Sequence, residues 1–521
     1  MNKYLLIIVF SLLAPLQVHA ERVKSEQQHR IAKKTTDTAG LSAFLGTGMQ
    51  FFPVNIPAIQ IDLNTNSAGE HKTGAVYTLP APITAQQLSW ERVNNGYVAR
   101  IHVQADQAKR LRLHLKFKQA ISAFTFRLQG NLNGTLLTPM DHNPVNGSNI
   151  WLPVTNGDQA DLEIFIKDVK LPETLDFSID AINVIVDDFK GKNNSKINIK
   201  SLGYAEEEEW DLTCFKDDID YPALEAAAAA TGLINFVRGG GSYICTGTLL
   251  NDSDPNTQIP LFATANHCIA DQTTANTASF EWFFQATSCK SSSTDSRYAQ
   301  TYGGAQLLWT DSKNDATLLK LNASPAENVW YSGWDSTELK LSELVWGVHH
   351  PHGDHTMVSV GNVTALSVPI VFDDKARTLN TVKFITTGAE PGSSGSGLFT
   401  VADGSVYWRG DLSSGPADYR INNYSNVANF YGAIKPWLKN TNTSNNPQVE
   451  CILNWLENAY PTALVPKAKS QFQSPYTYRY YSKIDAYLGI SNSDNHLYGL
   501  DQTRKLIDLG NLSDFSSLSS C

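Results

Sequence analysis

The stretch "EPGSSGSGLF" at residues 390–399 places three serines among three glycines, and it could hold a nucleophile or form an ordinary loop. The apolar run at 398–401 is typical of a β-strand, which puts the glycines in a tight turn before it. A serine in such a turn attacks a carbonyl only if a base takes its proton and a carboxylate orients that base. A matching histidine and aspartate are therefore needed upstream.

The best histidine candidate is His267 in "PLFATANHCIA". The apolar residues 261–263 predict a strand that ends just before it. Cys268 has a natural disulfide partner in Cys245, which lies in another predicted strand, "SYICTGTLL". Such a bridge would hold the neighbouring imidazole at a fixed reach from a nucleophile. The alternative is a packed histidine beside a structural disulfide.

The carboxylate candidate is Asp315 in "DSKNDATLLKL", where the chain enters an apolar strand. A buried carboxylate is costly unless a partner stabilises its charge, and an imidazole N–H is a suitable partner. Alternatively, Asp315 only caps the start of the strand. Asp311, in the preceding turn, is expected to be solvated.

Taken together, the candidates occur in the order His267, Asp315, Ser394. This is the order of chymotrypsin-type hydrolases and not the Ser-Asp-His order of α/β-hydrolases. The cluster fits G-x-S-G in the Ser394 frame and fails the nucleophile-elbow pattern G-x-S-x-G, because residue 396 is a serine.

The chain of 521 residues is too long for one core and divides by composition. Residues 1–20 read as a signal peptide, with Lys3, an apolar stretch at 5–16 and a small-residue cleavage site at 18–20. Residues 21–190 contain short alternating runs such as "YVARIHVQA" and "ADLEIFIKDV", which predict a β-sandwich-like domain. A charged linker (191–209), a strand-rich domain (210–438), an Asn/Thr-rich linker (439–450) and a small terminal module (451–521) follow.

Composition restricts the cellular setting. All six cysteines lie beyond residue 210, an even number suited to an oxidising compartment. No segment after the signal approaches the roughly 20 apolar residues of a membrane span. A net charge of −10 argues against a nucleic-acid partner. We expect a soluble protein that is secreted to the medium, the periplasm or the cell surface.

The motifs "CTGTLL", "TANHC", "NDATLLKL", "YSGWD", "GVHHPHGD" and "EPGSSGSGLF" resemble, in order and wording, those of bacterial trypsin-like serine proteases related to lysyl endopeptidase. The resemblance covers about residues 214–438. It implies an all-β-dominated chain with a chymotrypsin-like double β-barrel between the sandwich and a small α+β module. It also implies a serine endopeptidase with His267 as base, Asp315 as orienting carboxylate and Ser394 as nucleophile. The N–H groups of Gly392 and Ser394 would form the oxyanion hole.

The residues expected to set substrate specificity differ from those of the related proteases. An alignment of "RGDLSSGP" and "NVANFYGAI" puts Ser413 where the related proteases have a pocket histidine and Asn429 where they have a pocket carboxylate, with Gly388 and Gly415 in the same predicted pocket. A neutral Asn does not offset the desolvation of a lysine ammonium, so strict lysine specificity is not expected. Asp411 and Asp418 are the alternative carboxylates.

The resemblance also bears on disulfides and activation. Four cysteines in the protease domain allow three connectivities, and the resemblance favours Cys214–Cys289 beside Cys245–Cys268. Cys451–Cys521 would close the terminal module. Ser393 replaces the aspartate that receives the new N-terminus in trypsin, so that switch is expected to be absent. Latency is attributed instead to the N-terminal domain, which would cover the cleft until the 187–211 linker is cut.

Other features leave alternatives open. "HHPHGDH" at 349–355 could bind a metal, but the resemblance implies a barrel segment that needs none, and no cofactor is predicted. Aromatic residues of the terminal module could bind a surface or a carbohydrate, or form its core. The expected partners are protein or peptide substrates. The rivals are a catalytically silent surface-binding protein and an esterase or cell-wall peptide hydrolase with the same triad.

Overall fold

A computed structural model gives the fold of this chain. It describes a set of segments that excludes the predicted signal peptide and both predicted linkers: residues 21–29, 50–63, 71–93, 96–121, 124–132, 140–142, 147–167, 172–187, 211–254, 257–372, 374–386, 388–415, 420–439, 476–481, 486–491, 496–500 and 506–511.

Two sheets packed face to face form the N-terminal domain and confirm the predicted sandwich. Ile101 and Leu162 of one sheet share a core with Leu113 and Ile182 of the other. The strands of residues 21–187 are Arg22–Val23 (β1), Glu26–Gln27 (β2), Phe52–Asn55 (β3), His71–Thr84 (β4), Glu91–Val93 (β5), Gly96–Gln104 (β6), Arg110–Phe117 (β7), Phe124–Gly130 (β8), Met140–His142 (β9), Asn149–Trp151 (β10), Thr155–Asn156 (β11), Gln159–Lys167 (β12) and Phe177–Ile185 (β13). Short 3-10 turns span Ala85–Gln87 and Pro172–Thr174.

The protease-like region starts with a 3-10 turn, Leu212–Phe215, and a helix of small residues, Tyr221–Ala230 (α1). Its first barrel pairs strands in the order β19-β20-β16-β15-β14-β17-β18. Its elements are Thr231–Arg238 (β14), Gly241–Leu250 (β15), Leu261–Thr264 (β16), Gln272–Ala275 (α2), Ser279–Trp282 (β17), Ala299–Thr301 (β18), Ala305–Asp311 (β19) and Ala316–Leu321 (β20).

The second barrel follows the order β22-β27-β26-β23-β24-β25-β28, and β28 also pairs with β27, which closes the sheet. Its elements are Trp330–Tyr331 (β21), Gly333–Asp335 (β22), Leu344–His349 (β23), a 3-10 turn at Pro351–Gly353, Met357–Phe372 (β24), Lys375–Phe384 (β25), Gly397–Ala402 (β26), Ser405–Ser414 (β27), Ile421–Tyr424 (β28) and Val427–Leu438 (α3). This double-barrel arrangement confirms the predicted fold class.

The sandwich and the first barrel share one sheet, because β4 pairs antiparallel with β15. One face of β7 packs in the sandwich core, and its other face is buried against the first barrel. Arg110 of β7 donates to Glu281 at 2.5 Å, and both side chains lie in the interface. Arg112 donates to the carbonyl oxygens of Asn235 and Thr277. The alternating pattern of β7 predicts that these polar residues face solvent. In the structure they form the contact between the sandwich and the first barrel.

Residues 21–29 lie on the second barrel as a separate strap. Val23 pairs with Trp334 in β22, and Arg22 donates to Asp335 at 2.7 Å. The strap backbone passes so close to Gly333 that a Cβ there would lie 2.4 Å from the Val23 carbonyl oxygen. Contacts with Lys435 and Lys439 lower the pKa of Glu21 to about 2, although its partial burial opposes this shift.

The terminal module contains a four-stranded antiparallel sheet in the order β29-β30-β31-β32. Its strands are Tyr476–Tyr481 (β29), Ala486–Ser491 (β30), His496–Leu500 (β31) and Leu506–Asn511 (β32). The aromatic strands predicted from the sequence are among them. The helical part expected of a small α+β module lies outside the described residues. Among the residues described, no helix has the length and apolar character needed to cross a membrane.

Candidate active site

His267 follows β16 and is held from several sides. Cys268 forms the predicted disulfide with Cys245, with 6.3 Å between their Cα atoms. Arg238 donates to the His267 carbonyl oxygen at 2.8 Å. The imidazole is 8% exposed, and its Nε2 makes no hydrogen bond to any part of the chain that the structure describes. The ring is therefore held in place, and its Nε2 is not used in a structural contact.

Asp315 lies in the turn between β19 and β20 and is fully buried. Its φ of +52° is in the left-handed region, which aspartate tolerates better than most residues. One carboxylate oxygen accepts the His267 backbone N–H at 3.0 Å. The other accepts from His267 Nδ1 at 2.8 Å. Asp315 thus fixes the position and tautomer of this imidazole.

Two further side chains bind the same carboxylate. The Ser413 hydroxyl of β27 donates to Asp315 at 2.5 Å. Arg377 of β25 lies 3.1 Å from the carboxylate and donates to the Ser413 Oγ at 3.1 Å. Burial alone would raise the pKa of Asp315, but His267, Arg377 and Ser413 together hold it below its usual range. The carboxylate is therefore ionised in the protein interior.

The serine cluster forms the expected tight turn before β26. Gly392 and Gly395 have φ values of +97° and +79°, which only glycine adopts without strain. A Cβ on Gly395 would also lie 2.2 Å from Thr264 Oγ1. The Ser394 carbonyl oxygen accepts the Thr246 N–H at 2.8 Å and lies 3.7 Å from Cys268 Sγ. Ser394 is thereby packed against the residue that follows His267.

Ser393 stands at the position where trypsin has the aspartate that pairs with its new N-terminus. Its uncharged hydroxyl makes hydrogen bonds within the chain instead. It is fully buried, and its Oγ lies 2.8 Å from Nδ1 of His349. Burial lowers the pKa of His349 to about 3, so this pair is neutral. The Glu390 N–H also reaches the Ser393 Oγ at 3.3 Å. A neutral contact inside the chain supports this turn.

The other histidines of "HHPHGDH" contact separate partners. His350 Nδ1 bonds the Asp354 carbonyl oxygen, and His355 bonds the Thr294 hydroxyl. His352 Nε2 lies 3.2 Å from a Glu390 oxygen, and the rings of His352 and His71 are 5.2 Å apart. The segment joins the serine turn to the N-terminal domain.

The predicted pocket residues divide into two groups. Gly388, Ser413 and Gly415 lie beside the serine turn and β27, and Gly388 and Ser413 are buried. Asn429 instead lies exposed on α3, and its amide reaches Ser367 Oγ at 3.4 Å. This exposed position on a helix that Asn426 caps and that starts at Val427 does not support the predicted place of Asn429 in a buried pocket.

The buried asparagine near Gly415 is Asn422 of β28. A Cβ on Gly415 would lie 2.7 Å from its Nδ2. Asp411, one of the alternative carboxylates, is fully buried and accepts from Trp408 Nε1 at 3.0 Å. Asp418 lies outside the described residues.

A second disulfide, Cys214–Cys289, is present as the resemblance implied, with 4.6 Å between the Cα atoms. It fastens the start of the protease-like region to the loop after β17. The predicted Cys451–Cys521 bridge lies outside the described residues.

Family models match two regions of the chain. The lysyl endopeptidase C-terminal domain matches residues 202–432, and the lysyl endopeptidase N-terminal domain matches residues 68–185. A lysyl endopeptidase of Pseudomonas aeruginosa is 37% identical over 273 residues, which are 51% of this chain and 57% of that protein. This chain belongs to the lysyl endopeptidase-related bacterial serine proteases.

The chain spans little more than half the length of that lysyl endopeptidase, 57%. Secreted RxLR effector protein 73 of Plasmopara viticola is 27% identical over 157 residues, which are 28% of this chain and 37% of that protein. The active form of the Rv3671c protease from M. tuberculosis is 16% identical with a TM-score of 0.29, and the match covers 41% of this chain and 83% of that chain. The thermostable serine protease AL20 is 13% identical with a TM-score of 0.30, and the match covers 42% of this chain and 100% of that chain.

Sequence reasoning from the lysyl endopeptidase motifs missed Arg377 and Asn422. Arg377 lies in "KARTLN", an exposed-looking run of β25 whose sequence carries no sign of a buried ion pair. Asn422 could have been found from Tyr424, because the alternation of β28 places these two residues on one face of a short strand. A strand placed at 421–424 would have separated this asparagine from helix α3.

Proposed function

We propose that this protein is a secreted serine endopeptidase that cleaves protein or peptide substrates through His267, Asp315 and Ser394. The observation that carries the proposal is the pair of hydrogen bonds from His267 to one ionised, buried aspartate, with the other imidazole nitrogen unbonded within the described chain. An oriented base beside a glycine-bounded serine is the arrangement that nucleophilic acyl transfer requires. The predicted signal peptide and the two disulfides favour export.

In the proposed reaction, Ser394 Oγ attacks the scissile carbonyl while His267 Nε2 takes its proton. Asp315 holds the proton on Nδ1 and stabilises the imidazolium that forms. His267 then protonates the leaving amine, and an acyl-enzyme remains on Ser394. Water, deprotonated by His267, hydrolyses this ester and restores the free serine.

The N–H groups of Gly392 and Ser394 are proposed to stabilise the oxyanion. Neighbouring N–H groups in the turn have structural acceptors: Ser393 donates to Glu390, and Gly395 donates to Leu412. Those bonds hold the turn in its left-handed conformation at both glycines. Fixed donors of this kind lower the barrier without reorganisation during the reaction.

Digestion of an unfolded protein tests the proposal. After a cut within residues 191–209, the wild-type chain is expected to release peptides that mass spectrometry identifies, and Ser394→Ala treated in the same way is expected to lose this activity by at least about a thousandfold. Ser393→Ala is the matched control, because its hydroxyl bonds His349 and not the substrate. Hydrolysis of esters without cleavage of peptides would favour the esterase alternative. Undiminished cleavage by Ser394→Ala would refute the assignment.

We also propose that the N-terminal domain keeps the enzyme latent. The start of β4 pairs with Ile244, two residues before Thr246, whose side chain and N–H bond Gly392 and Ser394. His71, the first residue of β4, packs on His352 beside the serine turn. The domain thus adds a strand next to the predicted cleft.

A recognition sequence for a specific protease, inserted in residues 191–209, tests this latency. Cutting there and dissociating the domain should raise the rate of peptide hydrolysis. Arg110→Met, which removes the buried contact with Glu281, should ease that dissociation. Equal activity before and after the domain has left would contradict the latency proposal.

A further inference from the structure

Asn422 has a half-satisfied amide in the protein interior. Its side chain is 1% exposed. Its Oδ1 accepts the Ala389 N–H at 3.2 Å, whereas its Nδ2 is buried and has no hydrogen-bond partner among the described residues. An unpaired buried donor is unfavourable, so a group of this kind calls for a partner outside the described chain.

The bond from Ala389 fixes which way the amide faces. If the amide were turned over, its NH2 would meet the Ala389 N–H, and two donors would face each other. The oxygen is therefore bound to the chain and the NH2 group points away from Ala389. It points toward Gly415, where glycine leaves the space that a Cβ would occupy 2.7 Å from Nδ2.

The walls around this donor belong to the candidate active site. Ala389 lies five residues before Ser394, and Gly415 lies two residues after Ser413, which bonds Asp315. Both segments that flank the Asn422 amide are therefore close in sequence to residues of the candidate site. A substrate side chain that entered between them from Ser394 would reach this amide, as the side chain on the acyl side of the scissile bond, P1, would have to do.

The charges near this position disfavour a lysine ammonium. Asp315 is saturated by His267, Ser413 and Arg377. The Arg377 guanidinium lies on Ser413, and it would repel a second cation. Two other carboxyl groups offer little to a cation, since Glu390 pairs with His352 and burial raises the pKa of Asp411 well above its usual range.

We propose that Asn422 is a specificity-determining residue that selects P1 side chains ending in a neutral hydrogen-bond acceptor, with glutamine first among them. The Nδ2 group donates to the carboxamide oxygen of that side chain, so substrate binding satisfies the orphaned donor. A lysine at P1 would bury its charge beside the NH2 donor of Asn422 and no carboxylate, which is unfavourable. This inference rests on the proposed endopeptidase function and names its substrate class.

A matched set of peptides that differ only at P1 tests the inference on the full chain, before and after it is cut within residues 191–209. The peptides carry Gln, Lys, Glu or Leu, and an organophosphonate without a P1 side chain titrates competent sites first. The wild type is expected to cleave after Gln at least about tenfold better than after Lys, as kcat/KM per titrated site. Asn422→Asp should reverse that order, because a carboxylate pairs with the ammonium. Asn429→Asp adds the same charge on α3 and should change nothing.

A second variant, Asn422→Ala, covers the case in which Asn422→Asp fails to fold. It keeps the pocket neutral and should abolish the discrimination between Gln and Leu. A wild-type preference for Lys or Glu over Gln would overturn the inference while leaving the endopeptidase proposal in place. A change of preference in Asn429→Asp would also overturn it. A wild-type protein that does not react with the titrant either before or after residues 191–209 are cut would refute the proposed function and this inference together.

Discussion

The two ends of the candidate site differ in how fully their polar groups are satisfied. Asp315 accepts from the His267 backbone, the His267 ring and Ser413, and it also pairs with Arg377. Asn422, near the Gly415 side of β27, has one donor without a partner among the described residues. The saturated end is suited to fixed catalytic geometry. The unsatisfied end is suited to a ligand that completes it.

Asp315→Asn should break the saturated end with the largest effect. An amide in place of the carboxylate no longer fixes the His267 tautomer, and kcat is expected to fall by about 10⁴-fold. The ranking of P1 residues should be unchanged, because Asn422 is untouched. Steady-state kinetics on the P1 peptide set measures both quantities. An altered ranking would show that the two ends are not separate.

Arg377→Met should have a smaller effect on the rate and a distinct effect on pH dependence. Loss of the buried cation leaves Asp315 less compensated, so its negative charge favours a protonated His267. The acid limb of the kcat/KM profile is expected to move to higher pH, with about a tenfold loss of activity near neutrality. The free energy of unfolding should fall by about 3–5 kcal/mol.

Arg377→Lys is the control for that prediction. It keeps the positive charge but not the guanidinium geometry that reaches both Asp315 and Ser413. Its acid limb should stay closer to that of the wild type than the limb of Arg377→Met. Identical profiles for all three proteins would mean that Arg377 has no electrostatic influence on the base.

Asp411→Asn should leave activity nearly unchanged and alter stability. Burial raises the pKa of Asp411 well above its usual range, against the bond from Trp408. A carboxyl group whose folded pKa lies above its unfolded value destabilises the protein as the pH rises from the unfolded pKa towards the folded one, by up to about 1.4 kcal/mol per pH unit. An asparagine keeps the Trp408 bond and removes this penalty.

The expected result is a stability gain for Asp411→Asn that is larger at pH 8 than at pH 5. Chemical denaturation at both pH values measures it. A gain that does not depend on pH would mean that Asp411 is ionised in the folded protein. In that case a negative charge would lie near the pocket, and a P1 lysine would be less unfavourable there.

Local sequence signals were sufficient to predict the strands that bring His267, Asp315 and Ser394 to their positions. Each of these residues borders an apolar run, and the glycines of the serine turn have positive φ values where the sequence predicts a tight turn. The Cys245–Cys268 bridge was predictable for the same reason, because both cysteines lie beside short apolar strands.

Contacts between distant segments could not be predicted in this way. Arg110 and Arg112 read as the solvent face of β7, yet they are buried because another domain covers that face. Arg22 meets Asp335 across more than 300 residues of sequence, and no periodicity encodes that contact. Asn429 lies exposed on α3, and the start of this helix at the Asn426 cap is not evident from the aligned motif.

Fluorophosphonate labelling tests the central claim most directly. The purified protein is labelled before and after the 191–209 segment is cut, and peptide mapping locates the modified residue. The account predicts a label on Ser394 alone, no label in His267→Ala, and faster labelling after the N-terminal domain has dissociated. No label in either form, or a label on another serine, would contradict it and favour a silent protease fold with a binding role.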